Sequence, residues 1–199
     1  MILFLCTSSY AQKTSFSISS GINRSKLFHS QANDYNTVKA KYGYGFDFNG
    51  NINFKLNETV ILVTGISIHQ YKNYIKYYNG LLLKRSYTEI AKYFKNYYIG
   101  LPIKINYTIW SCKGFYLFGG AEISYLLSSI TQFDSKSHNQ KDYYNNILLF
   151  SNLGIGVKTE MCSRELFIEI GYTSNIFEVT KLNTSGNMNS ISIVIGIVI

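Results

Sequence analysis

The segment 42–56 alternates apolar and polar side chains over about three times the length of an ordinary strand. Its apolar positions are Tyr42, Tyr44, Phe46, Phe48, Ile52, Phe54 and Leu56, with Gly50 as the one interruption. Its polar or small positions are Gly43, Gly45, Asp47, Asn49, Asn51, Asn53 and Lys55. Because successive side chains of a strand point to opposite faces, one face is apolar and the other polar. This length and pattern are typical of a tilted strand that crosses a membrane.

Seven further segments repeat this alternation less strictly, and segment 60–71 follows it poorly. These segments are 16–23, 60–71, 97–107, 115–127, 147–159, 165–173 and 191–199. Together with 42–56 they predict eight strands. The sequence therefore predicts an all-β fold, an eight-stranded antiparallel up-and-down transmembrane β-barrel, whose closure leaves no unpaired edge in hydrocarbon.

The connections between these strands alternate between short and long. The short ones are 57–59, 108–113 and 161–164, and the long polar ones are 25–41, 72–91, 129–145 and 177–189. In outer-membrane barrels the short turns face the periplasm and the long loops face outside. An even strand count then places both termini at the periplasmic side. We therefore expect a protein of the cell outer membrane.

Composition and net charge limit the kinds of molecule that we expect this protein to bind. Charged residues make up only 15% of the chain, and no apolar run approaches the roughly 18 residues of a transmembrane helix. The net charge is +8, yet the basic residues form no cluster or recognition helix, so we expect no nucleic-acid partner. We expect these cations in loops and at a membrane rim, with membrane lipid and lipopolysaccharide as partners and an envelope protein as a further one.

The N-terminal residues resemble the end of a secretory signal peptide. A short apolar core, 1–6, precedes small polar residues and a Ser-x-Ala site that ends at Ala11. We interpret residues 1–11 as a signal peptide and 12–199 as the barrel domain. The basic segment that usually opens such a peptide is missing, which leaves a truncated start open. The alternative is that these residues form a buried first strand.

Tyrosines concentrate near predicted strand ends, where amphipathic rings favour the headgroup region. We expect an outer-rim cluster of Tyr71, Tyr74, Tyr77, Tyr78, Tyr93, Tyr97, Tyr98, Tyr143 and Tyr144. Tyr107 and Trp110 are expected at a periplasmic turn. Ordinary β-propensity of tyrosine is the alternative explanation for each of them.

Several segments together resemble the PorT-like outer-membrane β-barrel family of Bacteroidetes, often labelled porin-family proteins. The segment 98–107 resembles the family's Y-x-x-(I/L)-P-(I/L)-x-(I/L)-x-Y strand, and 114–122 resembles its glycine-rich next strand. The pairs Gly154/Gly156 and Gly171–Tyr172 resemble later family motifs, although Gly171 replaces the usual arginine and the chain ends in Ile199 rather than phenylalanine. The resemblance implies an integral outer-membrane protein.

The polar faces carry a small set of charges that the barrel would turn inward. These are Asp47, Lys104, Glu122, Lys158 and Glu169. Eight strands enclose a space that side chains fill, so we expect a plug of lysine–carboxylate contacts rather than a wide pore. An ion or proton path through these residues is the functional alternative.

We predict that the protein is not an enzyme and has no cofactor or metal site. Its histidines, His29, His69 and His138, show no metal-ligand spacing, and we place His69 near a strand end. Glu165 and Glu169 lie roughly 13 Å apart along a strand, which is far for a glycosidase pair. The alternatives are a lipid-modifying enzyme built on His69 and Ser67, and a soluble lipocalin-like carrier of an apolar ligand.

Two further predictions concern the turns and loops. Cys112 and Cys162 flank neighbouring strands at one periplasmic edge, so a disulfide is a hypothesis, with two free thiols as its alternative. A Tyr/basic outer loop is the candidate binding segment, or a solvated loop without a partner. Its residues are Tyr77, Tyr78, Lys84, Arg85 and Tyr87. The expected role is therefore structural or binding, presented through the outer loops.

Overall fold

The computed structural model describes residues 13–29, 36–79, 88–109, 114–133, 136–139, 141–161, 163–177, 179 and 186–199. Nearly all of them lie in strands, with one short 3-10 turn at Lys141–Tyr143. The strands are β1 (Thr14–His29), β2 (Asn36–Lys55), β3 (Val60–Asn79), β4 (Thr88–Thr108), β5 (Phe115–Phe133), β6 (Lys136–Asn139), β7 (Ile147–Met161), β8 (Arg164–Asn175) and β9 (Gly186–Val198). Within the described residues, no helix is long and apolar enough to cross a membrane.

The strands close into a barrel. Each of β1–β5 and β7–β9 pairs antiparallel with its neighbours in chain order, and β9 returns to pair with β1. Phe16 and Ile199 exchange two backbone hydrogen bonds at this seam, with N–O distances of 3.4 and 2.7 Å. The short β6 folds back on β5 alone. The predicted eight-stranded up-and-down barrel is therefore confirmed, with β6 as an added flap.

The outer surface of the barrel is apolar around its whole circumference. Exposed side chains include Phe16, Phe48, Ile66, Leu101, Leu117, Leu153, Ile168 and Ile193, and Ile147 exposes 67% of its surface. Contiguous apolar surfaces of this size are rare on soluble monomers, so this surface is built to contact lipid. A lipocalin-like carrier would turn these side chains inward, and the structure rules that alternative out.

Short turns and both ends of the described chain share one end of the barrel, which we call the turn end. In the β2–β3 turn, Asn57 Oδ1 accepts hydrogen bonds from the backbone N–H groups of Thr59 and Val60 at 2.8 and 2.7 Å. Gly114 and Ser163 take left-handed conformations, with φ of 85° and 63°, at the other two turns. In an outer-membrane barrel this is the periplasmic end, and the opposite end is the outer end.

The strands run further toward the outer end than the hydropathy pattern predicts. Segments 25–41 and 72–91 were predicted as long loops, but β1 continues to His29, β2 begins at Asn36 and β3 continues to Asn79. The physical reason is that backbone pairing does not require lipid. Beyond the membrane the outer face of a strand is wet and no longer needs apolar side chains, so the alternation ends while the hydrogen-bond ladder continues.

Candidate functional site

The inner wall of the barrel is lined by small and amide side chains. On β1 the residues that alternate with the lipid-facing ones are Ser17, Ser19, Asn23 and Ser25, and each is at most 3% exposed. The same strand that turns isoleucine and phenylalanine to lipid therefore turns hydrogen-bonding groups to the lumen. Short side chains leave room at the centre for the longer charged and aromatic ones described below.

The turn-end half of the lumen is an open polar cavity of about 1140 Å³. At its inner end Lys104 Nζ donates to both carboxylate oxygens of Glu169 at 2.7 and 2.9 Å, across the barrel from β4 to β8. The Tyr116 hydroxyl also donates to Glu169 Oε1, at 2.9 Å. Nearer the mouth, Lys158 Nζ lies 2.8 Å from Glu165 Oε1. The cavity wall thus carries matched ion pairs rather than one sign of charge.

The middle of the lumen holds a histidine between two carboxylates. His69 Nδ1 lies 2.7 Å from Asp47 Oδ1, and His69 Nε2 lies 3.0 Å from Glu122 Oε1. Asn23 Nδ2 also donates to Asp47 Oδ1 at 2.8 Å, and the Ser124 hydroxyl donates to Glu122. Since both ring nitrogens face carboxylate oxygens, the group must hold a shared proton, either as an imidazolium or on one carboxyl. The added proton removes one of the two negative charges of this trio, so one negative charge stays in the lumen, held by hydrogen bonds from Asn23 and Ser124.

Glycines make room for two of these contacts. A Cβ at Gly100 would collide with the Glu122 carboxylate and the Ser67 hydroxyl, so the bare backbone there lets Glu122 reach across to His69. A Cβ at Gly156 would collide with the Tyr116 ring, whose position carries its hydroxyl to Glu169. At Gly100 and Gly156 a lumen side chain thus lies directly against the barrel wall.

The outer half of the lumen is filled by an apolar plug. Its members are Leu27, Tyr71, Phe94, Tyr98, Leu126, Tyr144, Leu148, Phe150, Val179 and Met188, none more than 7% exposed. The rings of Tyr71, Tyr98 and Phe150 meet at centroid distances of 5.9–6.0 Å. The His69 ring stacks on Tyr71 at 5.7 Å. The polar lumen is therefore a well that is open at the turn end and blocked above His69.

The plug corrects the predicted tyrosine rim. Tyr71, Tyr98 and Tyr144 were expected at the outer headgroup level, but all three are buried inside the barrel. The alternation of side chains along each strand explains the difference. Tyr98 is on the lumen-facing side of β4 with Gly100 and Lys104, and Tyr71 is on the lumen-facing side of β3 with Ser67 and His69. Tyr93 does lie on the outer surface, 53% exposed, and Tyr107 is exposed at the turn end.

The five charged residues predicted for the lumen all contribute side chains to its interior, in three separate groups. Lys104 and Glu169 meet directly, whereas Asp47 and Glu122 meet through His69 rather than through a lysine. Lys158 pairs with Glu165, which was not in the predicted set. Sequence reasoning also missed His69, because it was placed near a strand end. The signal that could have found it is its even spacing from Ser67 and Tyr71.

The predicted outer-loop and cysteine sites are largely outside the described residues. Lys84, Arg85 and Tyr87 lie there, as do Cys112, Cys162, Trp110 and residues 1–12. Tyr77 and Tyr78 were assigned to a loop, but their backbones pair with Ile90 and Glu89 as the outer end of β3. The reason is again that the ladder continues beyond the apolar belt.

The lipid-modifying alternative gains no site from this geometry. Ser67 and His69 lie inside the barrel, away from the lipid-facing surface that a lipid-modifying enzyme would use. Within the part of the chain that the structure describes, no group of three or more His, Cys, Asp or Glu side chains could hold a metal ion.

Comparisons with known proteins agree with this architecture. The chain is similar to Neisserial surface protein A, with 16% identity, a TM-score of 0.52, and coverage of 93% of this chain and 98% of that one. It is also similar to the attachment invasion locus protein Ail of Yersinia pestis, solved with the heparin analogue sucrose octasulfate, at 16% identity and a TM-score of 0.51, with coverage of 94% and 99%. No curated protein sequence matches the chain. The family model described as an outer membrane protein beta-barrel domain matches residues 10–181. The chain therefore belongs to the outer membrane protein beta-barrel domain family and is a protein of the outer membrane.

Proposed function

We propose that this protein has a structural or binding role at the cell surface, presented through the outer end of a barrel that does not conduct. The observation that carries the proposal is the apolar plug. Ten buried apolar side chains, packed with buried polar ones such as Asn73 and Asn96, occupy the outer half of the lumen, so ions that enter the polar well from the periplasm meet a closed barrier. With conduction excluded, the parts of the barrel that could bind a partner are its outer end and the surface around it.

The binding role has support from proteins of the same fold. Ail is described as an attachment protein and was solved with a heparin analogue, and Neisserial surface protein A is described as a surface protein. Both are small barrels of similar length to this one. We infer that this chain likewise offers its outer end to a partner, either lipopolysaccharide or a protein of the envelope. Residues 80–87, with Lys84, Arg85 and Tyr87, remain the candidate binding loop.

We also propose that the chain is a PorT-like barrel of Bacteroidetes and that residues 1–11 are a cleaved signal peptide. The PorT-like proposal rests on the segment 98–107, which forms the membrane-crossing part of β4, with Pro102 lining the lumen.

The signal-peptide proposal rests on the Ser-x-Ala site that ends at Ala11. N-terminal sequencing of protein purified from outer membranes tests the second proposal. A mature chain that begins at Gln12 is the expected result.

Conductance measurements in planar bilayers test the closed lumen. The wild-type barrel is expected to insert without steady current. The double variant Tyr71→Ala/Phe150→Ala removes two facing rings of the plug and is expected to open a measurable conductance. Leu101→Ala truncates a lipid-facing side chain and serves as the control, with no current expected. Steady current through the wild type would contradict the proposal.

A further inference from the structure

Most of the cations on the described outer surface of the barrel lie on one side. Above the apolar belt, β1–β4 present a group that we call the basic face. Its members are Arg24, Lys26, Lys41, Lys72 and Lys95. On the opposite wall β5 and β9 contain no lysine or arginine, and Lys158 and Arg164 of β7 and β8 lie at the turn end. Among the described side chains of that side, Lys141 is the cation at the outer end, with its Nζ 4.9 Å from the centroid of the exposed Tyr125 ring. The cations of β1–β4 therefore form the denser group.

The side chains of Arg24, Lys72 and Lys95 point away from the lumen. Lys72 lies between the buried residues Tyr71 and Asn73, and Lys95 lies between the buried residues Phe94 and Asn96. Strand alternation therefore turns both lysines outward. The same argument holds for Arg24, which is exposed and follows the buried Asn23.

The height of the basic face matches the outer headgroups. Lys72 stands roughly 30 Å above Val60 along the membrane normal, given the rise and tilt of barrel strands. The apolar belt of such barrels is about 25 Å tall. The lysine ammonium groups therefore emerge just beyond hydrocarbon, where the phosphates of outer-leaflet lipids lie.

Tyrosine rings are interleaved with these cations. The Arg24 guanidinium lies 4.4 Å from the centroid of the Tyr42 ring and 5.8 Å from that of Tyr44, and Lys26 Nζ lies 5.4 Å from the Tyr42 ring. Rings of this kind hold long cationic side chains in place and favour the headgroup region. The basic face is thus partly ordered before a ligand arrives.

Two lysines of the basic face oppose one another directly. Lys72 and Lys95 are Cα partners in the β3–β4 ladder. Like charges opposite each other on one face destabilise a sheet. Neither lysine makes an ion pair with any residue that the structure describes, and the one carboxylate among the described side chains of β1–β4, Asp47, points into the lumen. An anion from outside the chain would remove this repulsion.

We propose that the basic face binds a phosphate group of an outer-leaflet glycolipid, held between Lys72 and Lys95 and flanked by Arg24. The occupant is a lipid rather than a soluble anion because the exposed apolar residues Ile66 and Ile68 lie lower on β3, beyond Gln70, where acyl chains would pack. This lateral site is separate from the proposed loop binding. Removing residues 80–87 would abolish loop binding and leave the lateral site intact, so the two proposals fail independently.

The test uses the refolded full chain in phosphatidylcholine vesicles, with and without bisphosphorylated lipid A. The readout is the temperature at which the compact, heat-modifiable species is lost on SDS gels. In phosphatidylcholine alone, Lys72→Gln/Lys95→Gln is expected to melt no lower than wild type, because the repulsion is gone. Adding bisphosphorylated lipid A is expected to raise the wild-type midpoint by about 5 °C and the double variant far less.

Three controls make the outcome decisive. Lys13→Gln/Lys55→Gln removes two charges at the turn end and is expected to keep the full lipid A response. Fully dephosphorylated lipid A is expected to leave the wild type unchanged. Lys95→Gln alone is expected to give an intermediate response, and it carries the test if the double variant does not fold. The proposal is overturned if the double variant gains as much as wild type, or if soluble sucrose octasulfate gives the wild type the same gain as lipid A.

Discussion

The Nδ1 atom of His69 lies 2.7 Å from Oδ1 of Asp47, on an adjacent strand in the middle of the lumen. Its Nε2 atom reaches Glu122 on β5, two strands away from β3. One imidazole therefore ties three strands together and separates two carboxylates that would otherwise repel each other in a buried place.

Removing the imidazole should expose that repulsion. We expect His69→Ala to lower the free energy of unfolding in lipid vesicles by about 3 kcal/mol, because two buried carboxylates lose their shared partner. The triple variant Asp47→Asn/His69→Ala/Glu122→Gln should recover most of the loss, since no uncompensated charge remains. Denaturant titrations of the refolded barrel measure both. His138→Ala, at an exposed position in β6, is the control and should change stability by less than about 0.5 kcal/mol. Equal stability of His69→Ala and wild type would contradict this account.

Gly100 should tolerate no side chain. A methyl group there would occupy the space of the Glu122 carboxylate, so Gly100→Ala should displace Glu122 from His69 and destabilise the barrel by about 1–3 kcal/mol. Gly50 offers a matched control, because a Cβ there meets nothing within 4 Å. Gly50→Ala should be neutral or slightly stabilising, since glycine in a strand costs conformational entropy. The comparison fails if the two alanine variants unfold at the same denaturant concentration.

The two lysine–glutamate pairs of the lumen should differ in strength. Lys104 and Glu169 have side chains only 16% and 10% exposed, whereas Glu165 beside Lys158 is 36% exposed. We expect Lys104→Met to cost about 3 kcal/mol, because it leaves a buried carboxylate with only the Tyr116 hydroxyl. Lys158→Met should cost less than about 1 kcal/mol, because water replaces the lost ammonium group. Lys104→Met/Glu169→Leu should be more stable than Lys104→Met alone. A larger loss from Lys158→Met than from Lys104→Met would refute the ranking.

The cysteine hypothesis stays a prediction. If Cys112 and Cys162 are joined, intact-mass measurement of native protein without reductant should show no thiol available to a maleimide probe. Reduction should then add two probe adducts to the mature chain. The variant Cys112→Ser/Cys162→Ser supplies the baseline for labelling. Two labelled cysteines before reduction would establish free thiols instead.

Much of the fold could be predicted because lipid enforces a simple rule. A strand in hydrocarbon must turn apolar side chains outward and must be paired on both edges, so the period-two pattern of 42–56 fixed the direction of Asp47 and Phe48 alike. The lipid-facing sides of the glycine-rich strand β5 and the isoleucine-rich strand β9 could be predicted equally well. The alternation did not predict which side chains of segment 60–71 point inward, because Ser67 and His69 are polar residues within an apolar run.

The lumen contacts could not be predicted in the same way. Lys104 and Glu169 belong to β4 and β8, and their meeting depends on how the closed barrel staggers its strands. Local irregularities add to this. The register shifts between Tyr42 and Phe46 in the β2–β3 ladder, and again beside Tyr97 and Tyr98 in the β4–β5 ladder. Such bulges turn side chains locally, close to where Tyr71 and Tyr98 enter the plug.

The sequence by itself determined which face of each strand meets lipid, how many strands cross, and which end carries the short turns. These properties depend on neighbours along the chain and on the solvent around it. Only the tertiary structure decided that His69 joins Asp47 to Glu122, that Lys104 meets Glu169, and that tyrosines seal the outer half of the lumen. Those contacts join residues far apart in the chain, and the stagger of the closed sheet sets which of them come within reach.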